Sequence, residues 1–491
     1  MRYLLGIDFG GGASKATLLR EDGRIIADNT VEYPTLHPTP DACEQSPKDW
    51  LRALCENTKE ILKKSGVSAE DIAAVAIDSA THTCLVCDRE GEPLRPAIHW
   101  TDSRSRAEAA YLREHYGEKI FDKTYHLPDT IWTLPQLLWL KNHEPEVYGR
   151  IGKIFFEKDY IRYFLTDVFC TDCIEAEGSM LFDARAGVWD KDLCDMCGLD
   201  ISVLPEIKKP TDIIGSVTNR AAELTGLAVA TPVVCGSTDT VMEVFASGAT
   251  KQGDMTVKLA TAGRICVITD KPYPDRHLVN YSHVVDGLWY PGTATKAAAS
   301  SYRWYRDTFG GDYSELDADA EKVAIGCDGL VFHPYINGEL TPYADPQLCA
   351  SFTGVRSTHE KGHFTRAVME GVCMSLLEGK RYLDGLGIKY NGDCATLIGG
   401  GAKGKIWRQM TADALGLKLV TTENSDSSLG SAMLAGIAVG IFKDAKSAAE
   451  ICVKVKDVVY PDCANTEKYA RLLVRYKKIH DALAPIYREE I

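Results

Sequence analysis

The sequence predicts an α/β protein with two domains. Its 491 residues exceed the roughly 250 to 300 at which a single hydrophobic core stops growing. Two apolar, β-prone runs flank a glycine turn in LLGIDFGGGASKATLL, and MTVKLATAGRICVI repeats this pattern from Met255. The segment ASGATKQGD between the two pairs is small, polar and glycine-containing. We therefore place an N-terminal domain at residues 1–248 and a C-terminal domain at residues 249–491.

Each element follows from a local pattern. A second turn, at residues 21–23, extends the first pair of runs into a β-meander. Apolar residues at helical spacing predict a helix over residues 47–64, and the run IAAVAID predicts a buried strand over residues 72–78. The similarity between the two halves is one of pattern, and it suggests that a domain has been duplicated.

Composition limits the classes of partner. The chain is 45% hydrophobic and 25% charged, as in an ordinary globular enzyme, and its net charge is −14. Such a charge repels nucleic acid and anionic membranes. No uncharged apolar run is long enough to cross a bilayer, and Asp8 interrupts any export signal. We expect a cytoplasmic protein with no nucleic-acid or membrane partner, reduced cysteines, and an oligomeric state compatible with a homodimer.

Two hairpin turns are candidates for phosphate binding. Gly10, Gly11 and Gly12 form the first turn, and residues without Cβ let backbone N–H groups approach an anion closely. Asp8 ends the preceding strand, where it could face a metal ion bridging the phosphates, and Lys15 lies just beyond the turn. The second turn is ATAG, in which Thr261 adds a hydroxyl. An ordinary tight hairpin would also use glycine at these places.

A third glycine loop lies in TLIGGGAKGKIWRQMTADALG, where a strand runs into the loop and then into a helix ending at Gly416. Gly399, Gly401 and Gly404 spell G-x-G-x-x-G, and Glu423 follows at the distance of a dinucleotide-binding fingerprint. An NAD-dependent dehydrogenase is therefore an alternative. Too little chain follows this strand for a Rossmann domain, so a loop holding the adenosine end of ATP fits better.

Asp239 is the candidate general base. In VVCGSTDTVMEVFASG it follows a β-branched run and a Gly-Ser-Thr turn, immediately before an apolar helical stretch. Phosphoryl transfer needs a carboxylate that orients the attacking hydroxyl and accepts its proton. Local spacing alone also allows Asp239 to act only as a helix cap.

Taken together, these segments resemble the FGGY family of carbohydrate kinases over nearly the full length. ASFTGVRSTHEKGHFTRAVMEG resembles the family's C-terminal signature, and GGGAKGKIWRQMTADALG resembles its adenosine-binding segment. The resemblance implies two ribonuclease H-like domains of the actin and hexokinase type, with Mg²⁺-ATP and sugar meeting in a cleft between them. It implies Asp239 as the base and Asp8 near magnesium. It also implies ATP-binding roles for Gly10, Gly11, Gly12, Lys15, Thr261, Gly263, Gly400, Gly401, Ala402 and Lys403.

The segment DSATHTCLVCDREGEPLRPAIHWTDSR resembles the sugar-contacting loop of the xylulose kinases within that family. Those proteins carry a Met-His pair where Thr81 and His82 stand, and Trp100 and Asp102 would flank the same pocket. His82 could instead be a core histidine. The resemblance implies phosphorylation of D-xylulose, with ribulose, a hexulose or a sugar acid such as gluconate as alternatives, because Thr81 adds a hydroxyl to the site.

The residues leave two further hypotheses open. Three CxxC pairs occur, and two of them, Cys170 with Cys173 and Cys194 with Cys197, are separated as in a zinc ribbon. They lack the paired glycine-bearing knuckles that wrap a metal. A sugar sensor that has the kinase fold without activity is the second alternative, against which the intact Asp239 and glycine loops argue.

Overall fold

A computed structural model describes residues 1–489 and divides the chain into two compact units. The first unit contains Met1–Thr250 together with two later segments, Tyr281–Gly287 and Asn424–Val453. The second unit contains Lys251–Asn280, Leu288–Glu423 and the chain from Lys454 onward. The single division predicted between residues 248 and 249 thus lies two residues before the end of the first segment, and two later segments also pack with the first unit.

The helices and strands of the first 250 residues are, in order, β1 (Tyr3–Phe9), β2 (Ala13–Arg20), β3 (Ile25–Glu32), β4 (Glu44–Gln45), α1 (Pro47–Ser65), β5 (Ile72–Ser79), β6 (Cys84–Cys87), β7 (Ala97–Ile98), α2 (Arg106–Thr124), α3 (Thr133–His143), α4 (Pro145–Tyr148), β8 (Lys153–Phe156), α5 (Glu157–Thr166), β9 (Cys170–Asp172), α6 (Cys173–Gly178), β10 (Phe182–Asp183), β11 (Val188–Trp189), α7 (Lys191–Cys197), β12 (Glu206–Lys208), β13 (Ile213–Ser216), α8 (Asn219–Thr225), β14 (Pro232–Val234) and α9 (Asp239–Ala246).

The helices and strands that follow are β15 (Met255–Leu259), β16 (Gly263–Val267), β17 (Gly292–Thr295), α10 (Ala299–Phe309), α11 (Tyr313–Glu321), β18 (Val331–His333), β19 (Ser351–Thr353), α12 (Lys361–Gly385), β20 (Cys394–Ile398), α13 (Lys405–Leu415), β21 (Lys418–Thr422), α14 (Ser427–Ala438), α15 (Ala445–Cys452), β22 (Val455–Val459) and α16 (Cys463–Tyr487). Among the described residues, no helix is both long enough and apolar enough to cross a membrane.

The first unit is built on a six-stranded sheet with the order β13-β14-β5-β1-β2-β3. The predicted meander forms β1, β2 and β3, which pair antiparallel, whereas β5 pairs with β1 in parallel. The predicted helix is confirmed as α1, which begins with Pro47 and ends where Gly66 adopts a left-handed φ of 66°. It buries Trp50 and Leu54 in the core shared with the apolar residues of β1 and β5.

The second unit repeats this architecture. Its six-stranded sheet has the order β17-β16-β15-β20-β21-β22, in which β15, β16 and β17 form an antiparallel meander and β20 and β21 extend it in parallel. The order matches that of the first unit strand for strand, including an antiparallel edge strand, β22 in this unit and β13 in the first. The fold is thus a duplicated mixed α/β domain, as the sequence predicted. The mixed sheet around β20 also differs from the doubly wound sheet that the dehydrogenase alternative needs.

Helix α14 explains why a segment from the second half belongs to the first unit. It packs against β1 at Gly6, where an added Cβ would lie 1.9 Å from the carbonyl oxygen of Ser428 and 2.4 Å from the amide nitrogen of Ala432. On another face, a Cβ at Gly430 would lie 2.3 Å from the carbonyl oxygen of Met242 in α9. Two glycines therefore let backbone approach backbone, and these contacts fix α14 beside β1, the strand that carries Asp8.

Replacing Gly6 with alanine should destabilise the first unit by about 1–3 kcal/mol or more, because the new methyl group overlaps backbone atoms that no rotamer change can move. The measurement is the urea midpoint of unfolding. Gly385→Ala is the matched control, since Gly385 ends α12 with no atom within 4 Å of its added Cβ. Equal midpoints for the two variants would contradict the close packing of α14 on β1.

Candidate active site

Asp239 is the first residue of α9 in the first unit. Its Oδ1 accepts hydrogen bonds from the Thr240 backbone N–H at 2.6 Å, the Thr240 hydroxyl at 3.2 Å and the Thr81 hydroxyl at 3.3 Å. A helix-capping carboxylate would instead accept from an N–H two or three residues further along. The residue at the cap position is Thr238, whose side chain makes no such bond. The hydrogen bonds therefore orient the carboxylate without using it as a cap.

A pair of carboxyl groups, Asp8 and Asp78, lies at the ends of two adjacent strands. Parallel pairing of β1 with β5 sets them opposite each other, and the Ser431 hydroxyl of α14 donates to Asp78 Oδ2 at 2.5 Å. Burial raises the pKa of Asp8 to about 7, and the negative charge of Asp239 adds to this rise. Burial also raises the pKa of Asp78, and the neighbouring Asp8 adds to that shift. The sequence analysis did not include Asp78, although it ends the predicted buried strand.

These carboxyl groups fit a magnesium ion better than a metal held by protein alone. Oδ1 of Asp8 and Oδ1 of Asp78 are buried, and neither has a hydrogen-bond partner among the described residues. Within the same residues, no group of three or more His, Cys, Asp or Glu side chains is placed to hold a metal. Magnesium commonly takes only one or two carboxylates, with water and phosphate completing its shell. Two unpaired acidic oxygens match that requirement.

In the glycine turn after Asp8, the carbonyl groups accept hydrogen bonds from the protein, and two backbone N–H groups are left to bind a ligand. Gly10 closes the hairpin through its N–H to the Ala13 carbonyl at 2.9 Å, and its own carbonyl accepts from the Tyr33 hydroxyl at 2.5 Å. The carbonyl of Gly12 accepts from the Tyr33 N–H at 3.0 Å, and that of Gly11 accepts from the Thr35 hydroxyl. In the described part of the chain, the N–H groups of Gly11 and Gly12 have no hydrogen-bond acceptor. A turn arranged in this way can bind an anion.

Lys15 lies on β2, opposite Asp8 in the β1–β2 register, and its ammonium group pairs with Asp426. Asp426 precedes α14, and the Lys15 side chain stays 30% exposed. The ion pair therefore joins the predicted phosphate-binding lysine to the helix that also reaches Asp78.

His82 is buried, and it directly follows Thr81, the residue whose hydroxyl donates to Asp239. Its backbone adopts a left-handed φ of 65°, and its N–H donates to Glu175 at 2.7 Å. The ring is 4% exposed, and its Nε2 lies 2.7 Å from the hydroxyl of Tyr281. Its centroid lies 4.8 Å from that of Trp132, and burial lowers the pKa of His82 well below its usual value. A neutral imidazole with one hydrogen-bonded nitrogen therefore follows Thr81, whose hydroxyl donates to the candidate base.

Trp100 and Asp102 lie in the loop after β7, whose His99 ring would lie 3.6 Å from a Cβ added to Gly11. The Trp100 side chain is 41% exposed, whereas Asp102 is 1% exposed. The Asp102 carboxylate accepts from the Cys43 N–H at 2.6 Å and pairs with Arg104 at 2.7 Å. The structure thus brings Thr81 to Asp239, and it ties Asp102 to Cys43 of an earlier loop and to Arg104.

A buried ionic cluster beneath Asp239 and His82 was not predicted from the sequence. The Lys158 ammonium, with no exposed surface, lies 2.9 Å from Asp159, 3.0 Å from Asp172 and 3.2 Å from Glu175. Asp172 also accepts from the Ser237 hydroxyl at 2.7 Å, two residues before Asp239. Since Glu175 accepts from the His82 N–H, one lysine supports the turns that carry both Asp239 and His82.

The second unit contains a cavity of about 350 Å³, bordered by four of its predicted ATP-binding residues, Thr261, Gly400, Gly401 and Lys403. The parallel pairing of β20 with β15 brings the glycine loop to the β15–β16 hairpin. Gly263 and Ala402 do not line the cavity. Both are buried at the base of these loops, where a Cβ on Gly263 would lie 2.7 Å from Thr295. An aromatic wall, including Tyr302 and Trp407, completes the cavity and was not predicted.

The cysteines form neither disulfides nor a metal centre in the described residues, and all 16 are free thiols. The segment around Cys170 and Cys173, predicted as strand or turn, is strand to Asp172 and helix from Cys173, because the Asp172 side chain caps α6. Burial raises the pKa of Cys194 to about 12 and that of Cys197 to about 11. These two thiols are poor metal ligands, since a ligand cysteine must be deprotonated, whereas a hydrogen bond with Cys235 lowers the pKa of Cys170 to about 7.

Comparisons with known proteins show which family the chain resembles. Residues 3–246 match the FGGY family of carbohydrate kinases, N-terminal domain, and residues 259–439 match its C-terminal domain. The chain is 31% identical to xylulose kinase from Bacillus subtilis (strain 168) over 485 residues, 98% of this chain and 97% of that protein. It is 29% identical over 457 residues to gluconokinase from the same organism, covering 89% and 88%. A crystal structure of xylulose kinase from Rhodospirillum rubrum aligns with a TM-score of 0.92 at 28% identity, covering 99% and 100%.

Lys158→Met should lower the free energy of unfolding of the first unit by about 3–5 kcal/mol, because it leaves buried carboxylates without their shared cation. Lys191→Met removes an exposed partner of Asp195 and should cost less than about 1 kcal/mol. Urea unfolding of both variants gives the comparison. If Lys158→Met proved as mild as Lys191→Met, the cluster would not support these turns.

Proposed function

The chain belongs to the FGGY family of carbohydrate kinases, and from that membership we propose that it phosphorylates D-xylulose with ATP, giving D-xylulose 5-phosphate. It is a phosphotransferase that acts on a small-molecule sugar with ATP as the phosphoryl donor. The observation that carries the proposal is the oriented carboxylate of Asp239 beside Thr81, His82 and the Asp8 turn. D-Xylulose is favoured over the other sugars because the xylulose kinase from Bacillus subtilis is similar over nearly the whole of both chains.

Asp239 is assigned as the general base. As the sugar oxygen forms its bond to the γ-phosphorus, the hydroxyl proton passes to the carboxylate, and ADP leaves with the electrons of the broken P–O bond. Thr240 and Thr81 hold Oδ1 through hydrogen bonds, which fixes the carboxylate for this transfer. In this role Thr81, His82, Trp100 and Asp102 form the sugar-binding part of the first unit.

The phosphates are assigned to the glycine turns. The unpaired N–H groups of Gly11 and Gly12, with Gly10 and Lys15, suit phosphate oxygens in the first unit. In the second unit, Thr261 and Gly263 serve the second phosphate hairpin, and the loop from Gly400 through Gly401 and Ala402 to Lys403 serves the nucleoside. Asp8, with Asp78 beside it, would hold Mg²⁺, whose charge neutralises phosphate oxygens when it is bound.

The wider assignment follows the same membership. The N-terminal FGGY domain is assigned to sugar and the first phosphate turn, and the C-terminal domain is assigned to nucleotide. A cytoplasmic location and a homodimer complete the proposal.

Asp239→Asn should lower kcat by about 10²- to 10⁴-fold, the usual contribution of a positioned base. The amide keeps the shape of the side chain but cannot take up the proton, so ATP and sugar binding should stay within several-fold. A coupled assay of ADP release, with calorimetry for both ligands, measures each quantity. Asp444→Asn, which alters an aspartate that caps α15, is the control and should keep kcat. A near-normal kcat for Asp239→Asn would remove this residue from the mechanism.

A panel of ketopentoses, ketohexoses, polyols and sugar acids tests the acceptor. D-Xylulose should give a kcat/KM at least ~10-fold above D-ribulose and gluconate, because a pocket that hydrogen-bonds specific hydroxyls rejects analogues that leave its polar groups unpaired. ADP release with each sugar at saturating Mg²⁺-ATP is the measurement. A higher kcat/KM for gluconate would show that gluconate, and not D-xylulose, is the preferred acceptor. It would leave the kinase assignment intact.

A further inference from the structure

Asp317 is a half-buried carboxylate in the wall of the second unit's cavity, and nothing in the phosphoryl-transfer chemistry above uses it. It lies on α11, whose start is fixed by a capping box between Asp312 and Glu315. The Tyr302 hydroxyl donates to its Oδ1 at 2.7 Å, and Tyr302 is itself on α10. Two helices therefore hold this carboxylate in one orientation.

The second oxygen of Asp317 faces the glycine loop. A Cβ added to Gly404 would lie 3.3 Å from Asp317 Oδ2, a contact tight enough to force one of them aside. Gly404 has a φ of −72°, which any residue adopts, so its backbone conformation does not require glycine. The missing side chain instead keeps the approach to Oδ2 open. Among the described residues, Asp317 has no ion-pair partner.

The Asp317 carboxylate already accepts one hydrogen bond, from Tyr302 to Oδ1, and it has acceptor capacity left at Oδ2. It is an acceptor when ionised, and a polar group in an apolar wall costs free energy unless it is paired. The wall around it is aromatic, since the Tyr302 ring centroid lies 5.1 Å from that of Tyr313 and 5.6 Å from that of Trp407. Arg303 and Lys403 also line the cavity, and flat aromatic surface beside a carboxylate acceptor suits a nucleoside, which offers a planar base and a few N–H and O–H donors.

The two ends of the cavity differ in the residues that line them. Thr261, Gly400 and Gly401 border it where the β15–β16 hairpin meets the glycine loop, and small residues of that kind suit phosphates. Asp317 is attached instead to the aromatic residues, through Tyr302. The nucleoside of a bound triphosphate would therefore lie toward Asp317.

We propose that Asp317 accepts a hydrogen bond from the nucleoside of the phosphoryl donor and so makes the kinase selective among nucleotides. This inference rests on the proposed function, because it takes the cavity to be the ATP site. The donor is either the amino group of adenine or a hydroxyl of ribose, which share the same chemistry toward a carboxylate. The residue thus acts in recognition and has no part in the proton transfer.

Calorimetric titration of the full-length protein without sugar tests the inference. The ligands are Mg²⁺-ATP, purine riboside 5′-triphosphate, which lacks the base amine, and the 2′-deoxy and 3′-deoxy forms of ATP. Wild type should bind ATP about 10- to 100-fold more tightly than one of the three analogues, as expected for a hydrogen bond to a charged acceptor. The analogue that binds weakly identifies the donor.

Asp317→Ala should bind ATP as weakly as wild type binds that analogue, and it should no longer distinguish the two ligands. Asp317→Asn, which keeps the side-chain shape, provides the same comparison if the alanine variant folds poorly. Asp319→Ala is the control, because Asp319 lies on the same helix and pairs with exposed Lys322. It should retain the affinity and selectivity of wild type.

The outcomes separate the inference from the proposed function. Equal binding of ATP and all three analogues by wild type would overturn the role of Asp317 and leave the ATP site in place. A uniform loss of affinity for every ligand in the Asp317 variants would also overturn it, because that result indicates a structural role. If wild type bound no ATP at all, the proposed function would fail as well.

Discussion

The parallel pairing of β1 with β5 is the constraint on which the candidate active site depends. It places Asp8 directly opposite Asp78 at the ends of two buried strands, where like charges in a low-dielectric environment repel each other. Burial raises the pKa of both groups, so the pair cannot hold two full negative charges without help. A serine of α14 donates to one carboxyl group, and one oxygen of each carboxyl group has no hydrogen-bond partner among the described residues. The strand register thus makes the pair depend on α14, and the proposed function assigns its remaining oxygens to Mg²⁺.

The first unit meets that requirement with a segment from much later in the chain. Gly6 and Gly430 let α14 approach β1 and α9 closely, and the helix then contributes Ser431 to Asp78 and Asp426 to Lys15. The buried Lys158 cluster provides the corresponding support on the side of Asp239 and His82. Both supports act through side chains that do not contact the sugar or nucleotide in the proposed function. They position the groups that do.

Much of the fold was predictable because its signals are local. The glycine hairpins, α1, the strand ending at Asp78 and the helix ending at Gly416 each appear as a short periodic pattern, and the structure confirms them. The FGGY family and the two-domain α/β fold predicted from the quoted motifs are confirmed as well. The return of Asn424–Val453 to the first unit was not predictable, because it depends on glycine contacts between distant segments. Lys158 was missed for the same reason, since its three partners lie in two different segments of the chain.

The aromatic wall of the second unit's cavity shows the same limit. Tyr302, Tyr313 and Trp407 come from three helices, and no spacing in the sequence links them. The most direct test of the central claim is a crystal structure of the full-length protein with D-xylulose and a non-hydrolysable ATP analogue. The account predicts a sugar hydroxyl within hydrogen-bond distance, about 2.6–3.2 Å, of the Asp239 carboxylate. A sugar bound away from Asp239, with no hydroxyl in reach of that carboxylate, would contradict it.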